Sequence, residues 1–189
     1  MLKKLKVFII ILMFFLLNDN IFASSLYMGG KLERGVGNIC YYIDSSASSY
    51  TSIINSAINN WVDTGYGWNP IYVTPVSSNY ATDIDFYLRY GDDMSADILG
   101  RTTYYNINEG IVNQYNTNWF FAKIELNASS LGGYSNDIKQ GTTAHELGHA
   151  FGLDHQDYNR YSIMCQLGCG RLVNTVDQTS HNAINVLYN

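Results

Sequence analysis

"TAHELGHAFGLDH", residues 143–155, places three of the chain's four histidines within eleven residues, among neighbours that are mostly small or apolar. A helix that only packs has no use for two imidazoles and a carboxylate on one face, because each buried polar atom needs a partner. His145 and His149 are four apart, so on a helix their rings leave the same face, close enough to chelate one ion. Glu146 sits beside that ion without being forced to ligate it. Gly152 follows three residues after His149, where a glycine enters left-handed geometry without steric cost, and a turn there brings His155 back as a third nitrogen ligand. Three neutral imidazoles with a fourth position open describe a catalytic zinc site, whereas a structural site closes all four. An accidental match to all five fixed positions in this chain has odds on the order of 1 in 10⁵.

The rest of the chain has enough material to hold such a site. Its 189 residues, 47% hydrophobic, suffice for one domain with a real core. The opening "MLKKLKVFIIILMFFLLNDNIFASS" has lysines at 3, 4 and 6, an apolar run from Val7 to Leu17, and a small-residue exit at Ala23, Ser24 and Ser25. That layout predicts a signal peptide over 1–23 and a secreted, extracellular product; an uncleaved N-terminal anchor is the alternative. Loss of that segment takes away three lysines and Asp19, so the formal charge moves from −5 to −7. So acidic a chain repels phosphate backbones, which excludes nucleic acid as a natural partner. No stable membrane association is expected after signal removal, and a monomer is expected.

Residues 24–38, "SSLYMGGKLERGVGN", are glycine-rich and read as a flexible lead-in to a domain over 39–189. Within it, "ICYYID" (39–44) reads as a strand, and "SSYTSIINSAINNWVDTG" (48–65) sets Ile53, Ile54, Ala57, Ile58, Trp61 and Val62 at helical spacing behind serine caps. "PIYVTPV" (70–76), "TDIDFYLRY" (82–90), "ILGRTTYY" (98–105) and "WFFAKIEL" (119–126) read as strands. In the second of these, Ile84, Phe86 and Leu88 alternate with Asp83, Asp85 and Tyr87, which predicts one buried face. Ser135, Asn136 or Asp137 can cap the helix that bears the opening stretch. Strand, helix, four strands, helix points to an α+β domain: one mixed sheet with helices packed on it.

Three cysteines allow one disulfide and leave one thiol over. In "MCQLGCG", Cys165 and Cys169 can close a small loop, or Cys40 can tie the first strand to it; the former is the favoured pairing. A metal role for these cysteines lacks a four-ligand set.

The motif HExxHxxGxxH, here His145, Glu146, His149, Gly152 and His155, resembles that of the metzincin zinc metallopeptidases, whose further mark is a methionine turn. "YSIMC" supplies Met164 nine residues after His155, and the "SIM" triplet, the strand order and the closing "AINVLYN" are most similar to the matrixin branch, the catalytic domain of matrix metalloproteinases. Gln156 and Gln166 depart from the usual residues at their places, and only His181 lies outside the motif to serve a second, structural zinc.

The resemblance implies a twisted five-stranded mixed sheet with two long helices, an upper part over 39–155 and a small lower part over 156–189 ending in a third helix. It implies a zinc endopeptidase acting on protein or peptide substrates, in which a zinc-bound water attacks the peptide bond, Glu146 is the general base and Met164 lies as an apolar floor under the histidines. An extended substrate would add to the edge strand at Gly100, Arg101, Thr102 and Thr103, and the segment from Cys165 to Asn174 would wall the pocket for the residue after the scissile bond. Asp83, Asp85, Asp92, Asp93 and Asp97 cluster where that family often binds calcium; a solvated acidic loop is the plainer reading. Two other classes stay open: a zinc-containing binding module without turnover, and an interaction protein anchored at the surface by its N-terminus.

Overall fold

Short runs of β-branched and aromatic residues form one sheet of five strands: β1 (Ile39–Ile43), β2 (Val73–Val76), β3 (Ile84–Arg89), β4 (Gly100–Tyr105) and β5 (Phe121–Asn127). They are ordered β2-β1-β3-β5-β4 in a computed structural model that describes residues 25–189, so the expected signal peptide lies outside the described residues. The pairs β1–β2, β1–β3 and β3–β5 are parallel, and β4 runs antiparallel to β5 at one edge. Among the described residues four α-helices accompany the sheet: α1 (Thr51–Val62), the single turn α2 (Ala128–Leu131), α3 (Asn136–Ala150) and α4 (Gln178–Leu187). The architecture is the mixed α+β one expected, and it is metzincin-like. Among the described residues no helix is long and apolar enough to cross a membrane.

The inner face of the sheet makes the core and positions α3. Ile84, Phe86, Leu88, Ala122, Ile124 and Leu126 are buried there with Leu147 and Phe151. α1 buries Ile53, Ile54, Ala57, Ile58 and Trp61. Its start is earlier and different from the expected serine caps: Asp44 accepts the Ser46 N–H and opens a 3₁₀ turn, Ser45–Tyr50, that runs into the helix. Two indoles grip α3 from its sides: Trp61 Nε1 donates to the Ala144 carbonyl at 2.8 Å and Trp119 Nε1 to the Ala150 carbonyl at 3.0 Å. Trp61 also meets Phe151 edge-to-face at 5.4 Å between ring centres. Of the three candidate caps for α3, Ser135 does the work, accepting the Ile138 N–H. α4 begins at Gln178, capped by Asp177, ahead of the "AINVLYN" segment that suggested it.

Two expectations are corrected. β3 has no solvated face: Asp83 and Asp85 are buried as well as Ile84, Phe86 and Leu88. β3 is the central strand, and its outer face is roofed by long side chains of its neighbours rather than by water. Glu125 lies between Arg89 and Arg101, and the Lys123 ammonium lies over the rings of Tyr87 and Tyr105. Second, the described part of the 24–38 lead-in is packed. Met28, Leu32 and Val36, four apart, are all buried, Tyr27 bridges to Leu153 and Leu32 to Trp119. Gly29 and Gly30 are close-approach residues, since a Cβ on either would collide with the backbone at Tyr115 and Thr117.

Candidate active site

α3 delivers two ligands from one face and the turn after it delivers the third. His149 Nε2 lies 3.1 Å from His145 Nε2 and 3.0 Å from His155 Nε2. Gly152 makes the return at φ +103°, its N–H donating to the His149 carbonyl at 2.9 Å. A Cβ there would stand 2.9 Å from Leu187, so both conformation and space demand glycine. His145 Nδ1 is 2.8 Å from the Ile163 carbonyl, and His149 Nδ1 is 2.9 Å from the Leu153 carbonyl. A carbonyl only accepts, so both Nδ1 atoms carry the proton and both Nε2 atoms present lone pairs to one centre. Lone pairs that face each other at such distances repel unless a cation lies between them. Two imidazoles on one tetrahedral zinc stand about 3.3 Å apart, so this donor set fits zinc.

Electrostatics keep His145 and His149 in the ligand state. Burial, then the neighbouring His149, holds His145 well below the ordinary imidazole range. Burial, then His155, brings His149 down to about 3. Glu146 is buried too. Burial pushes its carboxyl up to about 7, against the opposing influence of the Thr102 hydroxyl and Arg171. The Thr102 hydroxyl donates to Glu146 Oε2 at 2.7 Å and lies 3.0 Å from the Glu146 carbonyl oxygen, which fixes the side chain against the edge strand. Gly100 keeps the other carboxylate oxygen open, because a Cβ there would sit 2.7 Å from Oε1.

These groups line one cleft of about 430 Å³, walled by Gly100, Arg101 and Thr102 on one side and by Gln166, Leu167, Gly168 and Arg171 on the other. A three-histidine centre with two rings buried and His155 half-buried, beside a clamped carboxylate and open to a cleft along a sheet edge, is a hydrolytic arrangement. Residues 36–177 match the family model described as dual-action HEIGH metallo-peptidase. The chain belongs to this family. A search of curated proteins gave no significant match.

In this zinc metallopeptidase the motif reads HELGH at 145–149, with leucine where the family's description has isoleucine. Leu147 is buried in the core, a role either side chain fills. Met164 is 1% exposed and lies against Gly148, and its carbonyl accepts the Gln156 N–H at 2.9 Å, which ties the methionine turn to the residue after the third histidine. Of the edge-strand residues singled out, Gly100, Arg101 and Thr102 line the cleft; Thr103 does not, and sits opposite Lys123 in the β4–β5 register.

The favoured Cys165–Cys169 bridge is not formed. All three cysteines are free thiols, Cys165 buried and Cys169 exposed. Residues 167–169 make one 3₁₀ turn ending at Gly170, φ +91°, which leaves the two side chains in different surroundings. Of the acids proposed for calcium, Asp83, Asp85, Asp93 and Asp97 do not converge either, and the Asp92 side chain lies outside the described residues. Asp83 accepts the Cys40 N–H at 2.7 Å and faces Arg34, Asp85 accepts from the Thr82 hydroxyl at 2.6 Å, and Asp93 and Asp97 are exposed. Among the described residues the histidine triad is the group placed to hold a metal. His181 is engaged by Thr64 and Asn185, away from that triad.

Two features escaped the sequence reading. Thr102 was expected to contact substrate, yet its hydroxyl holds Glu146. Arg171, inside the 165–174 segment expected to wall the pocket, was not singled out, and Thr142, which also lines the cleft, carried no local signal.

Proposed function

We propose that the chain is a secreted zinc endopeptidase of metzincin type in which Glu146 is the general base. The observation that carries the reading is the convergence of three Nε2 lone pairs beside a carboxylate whose one oxygen is clamped and whose other is left open. Zinc at His145, His149 and His155 supplies Lewis acidity, acidifying water and polarising a carbonyl. The protein's own part is positional and protonic. Thr102 orients the carboxylate, Glu146 Oε1 accepts the proton of the attacking water, and the same oxygen returns it to the leaving amine. The open flank of β4 at Gly100–Thr102 offers main-chain groups to an extended peptide, which would lay its scissile carbonyl over the triad. The leader-like layout of residues 1–23 supports secretion. Within the metzincins, the "SIM" triplet and closing helix favour a matrixin-like branch.

The test is hydrolysis of a peptide library by purified protein, with and without a chelator. Cleavage that stops on chelation and returns with one equivalent of zinc is expected. Binding without cleavage in the zinc-loaded protein would turn the reading to a binding module. N-terminal sequencing of exported protein should begin after Ala23; an intact N-terminus retained with cells would show an anchor instead.

A further inference from the structure

The loop that follows Met164 sets a cation into the cleft with no carboxylate at ion-pair distance among the described residues. Arg171 is 7% exposed and lines the same cavity as Thr142, His145 and Glu146. Its Nε and Nη2 have no hydrogen-bond partner, nor does the buried Thr142 Oγ1; Nη1 reaches only the Cys165 carbonyl, at 3.4 Å. The other guanidinium of the cleft wall, Arg101, is held by Glu125, its Nε 3.1 Å from Oε2. The ion pairs among the described residues are Arg34–Asp83, Arg89–Glu125 and Arg101–Glu125, and Arg171 is in none of them. Burial lowers Arg171 to about 10, with Cys165 and Glu146 acting in the opposite direction, so it is charged at neutral pH.

A buried guanidinium without a counter-ion is strongly unfavourable unless something regularly completes it. The loop cannot easily swing it out to water. Gln166 N–H donates to Asp157 Oδ1 at 2.8 Å, Leu172 N–H to the Arg160 carbonyl at 2.8 Å, and Arg160 Nε to the Gly170 carbonyl at 2.7 Å. A carboxylate matches what is missing: the guanidinium fork takes its two oxygens side by side, and a hydroxyl such as that of Thr142 can donate to one of them.

We propose that Arg171, with Thr142, is a specificity-determining site that selects an aspartate or glutamate as the residue immediately after the scissile bond. The inference rests on the peptidase reading above. Its placement follows from where the pair stands along α3. Thr142, which borders the cleft with Arg171, stands on α3 one helical turn before Glu146 and two turns before His149, so the pair lies toward the Glu146 side of the triad. Glu146 serves the leaving amine, and that amine belongs to the residue after the cut. The chain's net charge of −5 repels acidic peptides at long range, so the selection acts at contact, inside the cleft where water and salt screen little.

The experiment uses the full zinc-loaded chain and two sets of matched fluorogenic peptides, one varied only at the residue after the cut and one only at the residue before it. Asp, Glu, Asn, Gln, Leu and Lys are compared in each. The expected result is kcat/KM for Asp or Glu at least about tenfold above Asn or Gln in the first set, the worth of one charge-assisted pair. Arg171→Gln should bring the Asp-to-Asn ratio to about one, and Arg171→Lys should keep part of it. Zinc content and melting temperature report whether each variant is folded. Should they fail to fold, binding by the Glu146→Ala protein gives a readout without turnover, and acidic peptides should bind about tenfold tighter than their amides. Hydrolysis with no acidic preference, or with the preference only before the cut, overturns this inference and leaves the peptidase reading standing. No hydrolysis of any peptide by the zinc-loaded protein overturns both.

Discussion

The two faces of the sheet keep their polar groups by different means. On the inner side, where α3 packs, His145, Glu146 and His149 are buried and each is fixed by one specific partner: the Ile163 carbonyl, the Thr102 hydroxyl and the Leu153 carbonyl. On the outer side Glu125 pairs with both Arg89 and Arg101, and the arginines stay a third to a half exposed. The same charges interact several times more strongly in a dry interior than near water. Inner polar groups therefore decide chemistry, and outer ones decide mainly tolerance of pH and salt.

The comparison can be broken most severely on the inner side. His149→Ala should leave two imidazoles and a weak site, so metal analysis should find zinc falling from about one per chain to a small fraction, with hydrolysis lost; full occupancy would remove His149 from the ligand set. Glu146→Ala should keep the zinc and lose at least about a hundredfold in kcat, the share of general-base assistance. Turnover at the parent rate would place the base elsewhere. Gly100→Ala adds one methyl 2.7 Å from Glu146 Oε1 and should cost roughly ten- to a hundredfold in kcat, with zinc retained, by displacing a carboxylate that is otherwise intact. A silent Gly100→Ala would show that the open oxygen needs no clearance.

On the outer side the effect should be smallest and of another kind. Glu125→Gln should leave kcat within about twofold and remove roughly 1 kcal/mol of stability at pH 7, a figure kept low because water screens both arginines. Melting temperature should then fall by about 2–4 °C. Burial tends to raise the Glu125 carboxyl, but Arg101 and Arg89 outweigh it and hold the group below the usual carboxylate range. Its stabilisation is thus present above the unfolded-state value and lost as pH falls through the folded one. Parent and variant should converge in melting temperature at acid pH; a gap that widens there would contradict the pairing.

How far the sequence alone could go follows the same division. The strands, α1 and the three ligands were legible because each depends on spacing within one segment: period two, period near four, and a glycine at the turn. Three other readings depended on contacts far apart in the chain. Residues 25–38 looked flexible because glycine composition does not reveal that Gly29 and Gly30 press on Tyr115 and Thr117. Asp83 and Asp85 looked solvated because alternation does not say what roofs the second face of a central strand. Arg171 looked like any arginine, since what distinguishes it is the lack of an ion-pair partner among the described residues, which no local pattern encodes.

The two edges of the sheet bear differently on self-association. β2 is four residues long and carries Pro75, which offers no N–H to a newcomer, so strand addition there is blocked in the manner natural edge strands use against aggregation. Among the described residues β4 has no such guard at Gly100–Thr103, and cover begins at its far end, where Val112 N–H donates to the Tyr104 carbonyl. The unguarded stretch is the one beside Glu146. If this edge receives the peptide as proposed, the fold also leaves it open to a second copy of itself, so crowded or unfolding conditions should start edge-to-edge pairing in the cleft, and a bound peptide should protect against it.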